Sequence, residues 1–343
     1  MIFLIIFLFI IIAFIISFFY KNLNYYKKPM KKVKRSGYKE LQAVLPDSSV
    51  INYAHCGKGT PLLLIHGQGV AWQDYAEVLP ELSKHYHVYA VDCFGHGKSS
   101  HNSEKYSAQE TGKALSWFIE NVIKEPAIVS GHSSGGLLTV WLAANSPENV
   151  KGIILEDPPL FSCEIERTEK TFAFVDSFEP IHRYINQNEE KNYSLFYLKN
   201  CKWLDFFGKS KEKILNYGIK YNLKHPESEI KFFFLPPAIT RMFHFLREYD
   251  PIFGEAFYTC SWMKNFSHEE NLLKINCPSV LIHTRWSYSE EGILLGAMDE
   301  KDAQKAVSYI KNCKLINVKS GHDFHAEKPK EFLNIIINGI NNF

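Results

Sequence analysis

The sequence predicts an α/β fold, in which a mostly parallel central β-sheet is flanked by helices, carries a helical insertion and is preceded by an N-terminal transmembrane helix. Three patterns indicate this class. Short apolar runs alternate with helical segments from residue 61 to 155 and again from residue 278. Between about residues 160 and 275 the strand pattern stops and aromatic residues accumulate, and the first twenty residues are almost entirely apolar. Alternating strands and helices pack as a parallel sheet that helices cover.

Composition narrows the class further. The 343 residues carry a net charge of +2, which gives no sign of a nucleic-acid partner. The seven cysteines are odd in number, widely spaced and without any C-x-x-C pair, so we expect reduced thiols and neither a disulfide framework nor a zinc site. The sequence shows no metal-ligand cluster and no nucleotide-binding loop, so no cofactor and no metal are expected.

The N-terminus has the composition of a membrane anchor. Residues 2–19 are apolar except for Ser17, and a helix of about 18 such residues is just long enough to span a bilayer. We therefore predict a transmembrane anchor over residues 1–20 and a basic juxtamembrane segment over residues 21–39. No acidic residue precedes Glu40, and the basic residues of this segment are Lys21, Lys27, Lys28, Lys31, Lys32, Lys34 and Arg35, with Lys39 at its end.

The position of these charges predicts the orientation of the anchor. A cleavable secretory signal has its basic residues before the apolar stretch, whereas here they follow it and no A-x-A-like cleavage site is present. The positive-inside tendency then places the rest of the chain in the cytoplasm, as a single-pass protein of the cell membrane. Membrane lipid is an expected partner, because the basic segment suits anionic headgroups. A signal peptide and a buried core helix remain the alternatives.

The first part of the predicted sheet begins with a β-hairpin, whose alternating residues at 40–45 and 50–55 flank a polar turn. The continuous apolar run at 61–65 has the pattern of a strand that is buried on both faces. Helical spacing of apolar residues separates the strands that follow. In chain order we predict strands at 61–65, 87–92, 127–130 and 150–155, and helices at 75–85, 108–123 and 136–144.

The pattern changes after Pro158 and Pro159. The following residues read as helical and contain most of the phenylalanines, and strands resume only at residue 278. Because strands precede and follow this segment, we interpret it as an insertion between two strands of one sheet. Beyond it we predict a strand at 278–283, a helix at 300–310, a strand at 313–319 and an amphipathic helix at 330–340.

A candidate nucleophile lies between the strand at 127–130 and the helix at 136–144. The segment Gly131-His132-Ser133-Ser134-Gly135 has the G-x-S-x-G pattern of a sharp turn that exposes a serine hydroxyl. Its glycines keep Cβ atoms out of the space where the chain crosses itself, and the helix N-terminus favours developing negative charge. Ser133 is therefore the predicted nucleophile. The alternative is an ordinary turn.

The serine needs a base and an oxyanion hole. His322 follows the last predicted strand and is the preferred base, with His325 as its neighbouring competitor. The backbone amide of Ser134, directly after the nucleophile, is one expected oxyanion donor. The amide of Gln68, in the glycine-rich loop at residues 66–69, is the other, although that loop also reads as a plain tight turn.

These motifs resemble those of the α/β-hydrolase fold superfamily, and in particular a serine-nucleophile, esterase- or lipase-like member with a cap domain. The chain matches the HG-x-G loop at 66–69, the D-x-x-G-x-G-x-S loop at 92–99, the elbow at 131–135 and the G-H-x-x-H ending at 321–325. The resemblance implies a hydrolase core at 40–159 and 277–343 and a helical cap at 160–276. It also implies a structural role for the loop at 92–99.

The acid of the triad departs from the family pattern. The family most often places it just after the strand at 279–284, where this chain has no Asp or Glu at residues 284–289. Asp157, at the end of the strand at 150–155, is the preferred acid, because some dehalogenases and lipases carry theirs there. Asp299 is the second candidate, although it also reads as a helix N-cap. Glu290, Glu291, Glu156 and the absence of any acid remain open.

The expected activity follows from the nucleophile and the cap. A cap so rich in phenylalanine predicts a largely apolar pocket above Ser133. We expect a membrane-anchored serine hydrolase, most simply a carboxylic ester hydrolase, that acts on a small apolar ester or acyl substrate. Acyl transfer and C–C bond, thioester or peptide hydrolysis are alternatives on the same scaffold. A non-catalytic ligand- or partner-binding protein is the alternative of another class, favoured by the missing acid.

Overall fold

The computed structural model describes residues 2–340. Met1 of the predicted anchor and residues 341–343 of the predicted last core segment lie outside the described residues. An eight-stranded sheet has the order β1-β2-β4-β3-β5-β6-β7-β10. The strands are β1 (Lys39–Val44), β2 (Val50–Cys56), β3 (Pro61–Ile65), β4 (His87–Val91), β5 (Ala127–His132), β6 (Val150–Glu156), β7 (Ser279–His283), β8 (Ser287–Tyr288), β9 (Leu294–Leu295) and β10 (Cys313–Asn317).

The sheet is antiparallel at one edge and parallel elsewhere. β1 pairs with β2 and β2 with β4 in antiparallel register, and every pairing from β4 to β10 is parallel. All residues of β3, β5 and β7 are buried, which explains why their sequences are apolar rather than alternating. The predicted fold class, a mostly parallel sheet flanked by helices, is therefore confirmed.

Helices pack on both faces of this sheet and form two apolar layers. On one face, Phe118, Leu137 and Leu272 join the larger layer, and on the other face Leu79, Phe324 and Phe332 join the smaller one. The helices are α1 (Ile2–Leu23), α2 (Lys27–Arg35), α3 (Leu79–Leu82), α4 (Ala108–Phe118), α5 (Ser134–Asn145), α6 (Glu179–Ile185), α7 (Tyr193–Asn200), α8 (Lys211–Lys224), α9 (Pro237–His244), α10 (Pro251–Tyr258), α11 (His268–Lys274), α12 (Glu300–Tyr309), α13 (Phe324–Glu327) and α14 (Pro329–Ile340).

The segment between β6 and β7 is helical and aromatic, and contains α6 to α11. Its buried aromatic residues, among them Phe232, Phe243 and Trp262, belong to the same apolar layer as the helices beside β5 and β6. The segment is thus packed onto the edge of the sheet where β5 and β6 end. This placement leaves a cavity between it and the strand ends.

Two local predictions differ from the structure. The helix expected at 75–85 is a 3-10 turn over Trp72–Glu77 followed by the short α3, because Pro80 has no amide hydrogen and sits in the first turn of a new helix. The short ribbon of β8 and β9 was not predicted, since two-residue strands are too short to show a periodic pattern.

The first helix stands away from the sheet. An 18-residue window of α1 has a mean hydropathy of 3.4 and none of it is buried inside the protein, so it is not a core helix. Its length and composition suit a membrane span and equally a signal sequence. Near its C-terminal end it contacts the rest of the chain: the rings of Phe19 and Phe233 are 4.9 Å apart, and Asn22 Nδ2 donates to the Phe233 carbonyl at 3.0 Å.

Candidate active site

Ser133 lies at a sharp turn between β5 and α5. Its φ of 54° and ψ of −122° fall outside the regions that non-glycine residues usually occupy. Side chains would not fit beside it: a Cβ at Gly131 would overlap the Gly135 carbonyl oxygen, and one at Gly135 would overlap the Ile65 carbonyl oxygen. The chain therefore crosses itself here as closely as the G-x-S-x-G pattern predicts, and the serine projects from the turn.

The turn is held from the neighbouring strand. The Ser133 amide donates to the Glu156 carbonyl at 2.9 Å, at the end of β6. No hydrogen bond among residues 2–340 uses the Ser133 hydroxyl, and Ser133 lines the cavity below the helical segment. The backbone of this residue is thus fixed while its hydroxyl stays open.

His322 and Asp157 form a hydrogen-bonded pair beside that cavity. His322 Nδ1 and Asp157 Oδ2 are 2.7 Å apart, and Asp157 is almost fully buried. Because the carboxylate accepts a hydrogen bond from the Nδ1–H group, the neutral ring has Nε2 as its proton acceptor. Burial alone would lower the pKa of His322, but the hydrogen bond and charge of Asp157 raise it above its ordinary value.

Thr284 supports this pair and was missed by sequence reasoning. Its backbone amide donates to Asp157 Oδ1 at 3.2 Å and its hydroxyl to Asp157 Oδ2 at 2.6 Å. Thr284 follows β7 directly, at the place where the family pattern expects the acid itself. Thr284, a hydrogen-bond donor, therefore occupies the position after β7 where the family pattern has an acid, and the candidate acid Asp157 follows the neighbouring strand β6. The backbone of Asp157 has a φ of 46°, in the left-handed region that non-glycine residues seldom occupy.

The other carboxylates that the sequence offered are engaged elsewhere. Asp299 caps α12 by accepting from the Asp302 amide at 2.9 Å and also accepts from the Tyr288 hydroxyl at 2.7 Å. Glu291 binds Ser289. Glu156 binds His325 through a carboxylate oxygen 2.8 Å from Nδ1. Within the described residues, Asp157 is the one carboxylate hydrogen-bonded to His322.

The two predicted oxyanion donors face the same cavity. Gln68 and Ser134 both line it, and within residues 2–340 neither backbone amide donates to a protein acceptor. The Gln68 side chain points elsewhere, since its Nε2 donates to the Tyr249 hydroxyl at 2.8 Å. These two amides are therefore available to a bound oxygen.

Two buried histidines hold the Gln68 loop in shape. His66 Nε2 accepts from the Cys93 amide at 3.0 Å, and His96 Nε2 accepts from the Gly69 amide at 3.0 Å. Burial lowers the pKa of both imidazoles, which keeps them neutral and able to accept. His96 comes from the loop at 92–99, in which Asp92 also accepts from the Trp72 amide at 2.8 Å. The structural role implied for that loop agrees with these contacts.

His325, the competing base, lies away from the cavity. It is buried between two carboxylates: Nδ1 is 2.8 Å from Glu156 Oε1, and Nε2 is 3.0 Å from Asp74 Oδ2. Asp74 in turn accepts two hydrogen bonds from Arg241, from Nε at 2.7 Å and from Nη2 at 2.8 Å. Neither ring nitrogen of His325 is free to accept a proton from Ser133.

One cluster has the residue types of a metal site. A ligand atom from each of Asp74, His132 and His325 lies within 4.8 Å of the others. Arg241 already occupies both oxygens of Asp74, and His325 uses both nitrogens for carboxylates. The donor set fits a buried ion-pair network better than a cation, because a metal ion would have to displace the guanidinium.

The cavity itself has a volume of about 360 Å³, at the small end of the usual range for ligand pockets. Most of its walls are apolar, as predicted, but Arg241, Asp323 and Asp176 also line it. The apolar wall consists mainly of Val70, Pro159, Phe172, Ala173, Phe178, Ala238, Met242, Leu246 and Phe257.

The chain is similar to known proteins in sequence and in fold. A family model for the alpha/beta hydrolase fold matches residues 60–283. The (E)-2-((N-methylformamido)methylene)succinate hydrolase of Acinetobacter baylyi is 29% identical over 155 residues, which cover 42% of this chain and 58% of that protein. The pimeloyl-[acyl-carrier protein] methyl ester esterase of Aliivibrio fischeri is 37% identical over 112 residues, which cover 32% of this chain and 40% of that protein.

A solved structure matches over the whole length. A bacterial membrane phospholipase A superposes with a TM-score of 0.61 at 20% identity, and covers 100% of both chains. In contrast, the matched part spans only about half the length of the curated relatives. At 20% identity, the structural match concerns the fold.

Proposed function

Because the chain belongs to the α/β-hydrolase fold family, we propose that it is a membrane-anchored serine hydrolase that cleaves an ester or acyl bond in an apolar substrate. One observation carries the proposal. Ser133 opens from a strained turn into the same apolar cavity as His322, whose Nδ1 is bonded to the buried Asp157. A hydroxyl, a base with a free Nε2 and a carboxylate that orients the base are the parts of a catalytic triad.

In the proposed reaction, Ser133 Oγ attacks the carbonyl carbon of the substrate while His322 Nε2 takes the hydroxyl proton. The amides of Gln68 and Ser134 donate to the oxyanion of the tetrahedral intermediate. His322 then gives its proton to the leaving group, and the acyl chain stays on Ser133. Water, deprotonated by His322, hydrolyses the acyl-enzyme and restores the serine.

The walls of the cavity support an apolar acyl chain. Phe172, Phe178, Met242 and Leu246 present carbon atoms to it. Burying one methylene group contributes about 0.8 kcal/mol, which corresponds to about fourfold in binding. The related esterase acts, by its name, on a pimeloyl-[acyl-carrier protein] methyl ester, and the structural neighbour is described as a membrane phospholipase A. Both are consistent with an acyl ester in such a pocket.

A series of p-nitrophenyl esters tests the substrate class. From acetate to butyrate to octanoate, kcat/KM is expected to rise about three- to fourfold for each added methylene until the cavity is full. The Ser133→Ala variant supplies the background rate for each ester. A flat or falling series with the wild-type protein would contradict an apolar acyl site. Absence of turnover, together with no labelling by a fluorophosphonate, would favour a binding protein.

Reporter fusions test the anchor and its orientation. We expect a C-terminal green fluorescent protein fusion to fluoresce in the membrane fraction and a C-terminal alkaline phosphatase fusion to be inactive, because the basic segment at 21–39 should stay in the cytoplasm. Deleting residues 2–20 should release the fluorescent protein from membranes. An active phosphatase fusion would instead indicate an outward-facing domain, and a shortened mature chain would indicate a cleaved signal.

A further inference from the structure

Two consecutive carboxylates at the end of β6 hold two histidines of one loop. Asp157 binds His322, and Glu156 binds His325 three residues later. Glu156 Oε1 also accepts from the His325 backbone amide at 2.8 Å, so it fixes the main chain as well as the ring. The loop that carries His322 is therefore attached to β6 at two points, and these contacts extend across 165 and 169 residues of sequence.

Glu156 also touches the nucleophile turn. Its carbonyl accepts the Ser133 amide at 2.9 Å, while its side chain holds His325. Glu156 thus fixes both the backbone of Ser133, through its carbonyl, and the loop that carries His322, through its side chain. A small displacement of either would change the distance from Ser133 Oγ to the His322 ring, to which proton transfer is sensitive.

The two carboxylates that contact His325 are matched by two cations. Glu156 and Asp74 bring two negative charges, and Arg241 and a protonated His325 bring two positive ones. Arg241 also lies 3.8 Å from Asp323, a third carboxylate that is partly exposed to solvent. Burial alone would lower the pKa of His325, but Glu156 and Asp74 raise it to about 10. A neutral His325 would leave one buried carboxylate without a cation, which is costly. The ring is therefore held as an imidazolium between its partners.

Arg241 connects this network to the helical segment above the cavity. It belongs to α9, which lines the cavity through Ala238, Arg241 and Met242. Its guanidinium forms a two-bond pair with Asp74, the second partner of His325. Charge-assisted bidentate pairs are the strongest and most directional of their kind. A continuous chain of contacts thus runs from α9 through Asp74 and His325 to Glu156.

We propose that His325 is a positioning residue of the catalytic centre: bound between Glu156 and Asp74, it holds the loop of His322 at a fixed distance from Ser133. Because Arg241 of α9 binds Asp74, that distance also depends on the position of α9. This inference rests on the proposed function. It assigns no contact between His325 and the substrate, since His325 is buried away from the cavity.

The test compares His325→Gln with His268→Gln. His268 is a matched control, because it is equally buried and also makes contacts through its ring: Nδ1 accepts from the Phe161 amide at 2.9 Å and lies 3.2 Å from a carboxylate oxygen of Glu164. It lies outside the loop of His322. The number of active sites is first titrated with a fluorophosphonate, and kcat and KM are then measured per titrated site. His325→Gln is expected to lower kcat by about tenfold to a hundredfold with KM within about twofold, and to slow labelling equally. His268→Gln should keep the wild-type kcat.

A purely structural role would give a different result. It would reduce the melting temperature and the number of titrated sites of both variants but leave kcat per site unchanged, and that outcome would overturn the proposal. If His325→Gln does not fold, Glu156→Gln takes its place, because it removes the charge and keeps the carbonyl that binds Ser133. A wild-type protein that the fluorophosphonate does not label would contradict the proposed function itself.

The pH dependence of stability gives a second readout. A group whose pKa is raised from 6.5 to about 10 on folding stabilises the protein fully below the lower value and loses that contribution as pH rises to the upper one. The melting temperature of the wild type should therefore approach that of His325→Gln between pH 6.5 and 10, whereas a constant difference would contradict a charged clamp. The groups that face His325 are Asp74, Tyr75, His132 and Glu156.

Discussion

Ser133→Ala is expected to lower kcat for an activated ester by about 10⁶-fold and to abolish labelling by a fluorophosphonate. Both effects have the same cause, since attack on carbon and attack on phosphorus each require the Ser133 oxygen. The remaining rate should exceed that of water by about 10³- to 10⁴-fold, because the amides of Gln68 and Ser134 and the cavity walls are unchanged. No unfolding should accompany the loss, as alanine and serine place the same Cβ in the strained turn.

Ser130→Ala is the matched control for this variant. Ser130 lies in β5 only three residues before Ser133, and its buried hydroxyl has no hydrogen-bond partner within the described residues. Removing an unsatisfied buried hydroxyl is close to neutral for stability or slightly favourable. We expect wild-type kcat and full labelling from this variant. Equal labelling of Ser133→Ala and the wild type would instead place the nucleophile elsewhere and overturn the proposed function.

The parts of the fold that follow from local pattern could be predicted from the sequence. Buried parallel strands such as β3 and β5 appear as continuous apolar runs, and the elbow at Ser133 is marked by two glycines that no other residue could replace. The division between sheet and helical insertion was also visible, because aromatic residues replace the alternating pattern after β6. The signals of the strands and of the elbow each lie within a few consecutive residues, whereas the insertion is recognised from its composition over about residues 160–275.

The candidate acid could not be assigned from local sequence patterns. The sequence ranks Asp157 before Asp299 but leaves both open, because strand ends that are distant in sequence are brought together only by the order of strands in the sheet. β6 lies beside β7, so Asp157 and Thr284 meet although 127 residues separate them. The φ of 46° at Asp157 has no sequence signal either. The role of Asp157 as the acid stays a prediction.

The network of Asp74, Arg241 and His325 could not be found from the sequence at all. Its contacts join residues 167 and 251 positions apart, and no spacing rule links them. The sequence indicates His325 only as a competitor of His322 for the role of base, because both follow the last strand. The environments of the two rings distinguish them: His325 has a carboxylate at each ring nitrogen, whereas His322 has one at Nδ1 and an open Nε2.

Asp157→Asn is the second change for which we expect a large effect, a loss of about 10⁴-fold in kcat with little change in structure. The physical reason lies in Thr284. Its backbone amide donates to Asp157 Oδ1, so an asparagine should turn its carbonyl oxygen toward that amide and its NH₂ group toward His322. The NH₂ group would then donate to Nδ1, and the neutral ring would carry its proton on Nε2, where it cannot accept one from Ser133.

The pH profile separates this mechanism from a loss of folding. Asp157 raises the pKa of His322, so in the wild type the rate should increase with pH as this imidazolium loses its proton, with a midpoint above 6.5. Without the carboxylate charge, the midpoint of Asp157→Asn should move to lower pH while the plateau falls. Asp299→Asn is the control: asparagine caps a helix about as well as aspartate, so this variant should keep α12 intact and keep kcat within about twofold. A rate loss in Asp299→Asn that exceeds the loss in Asp157→Asn would reverse the assignment, since a carboxylate acts on the base only where it can bind Nδ1.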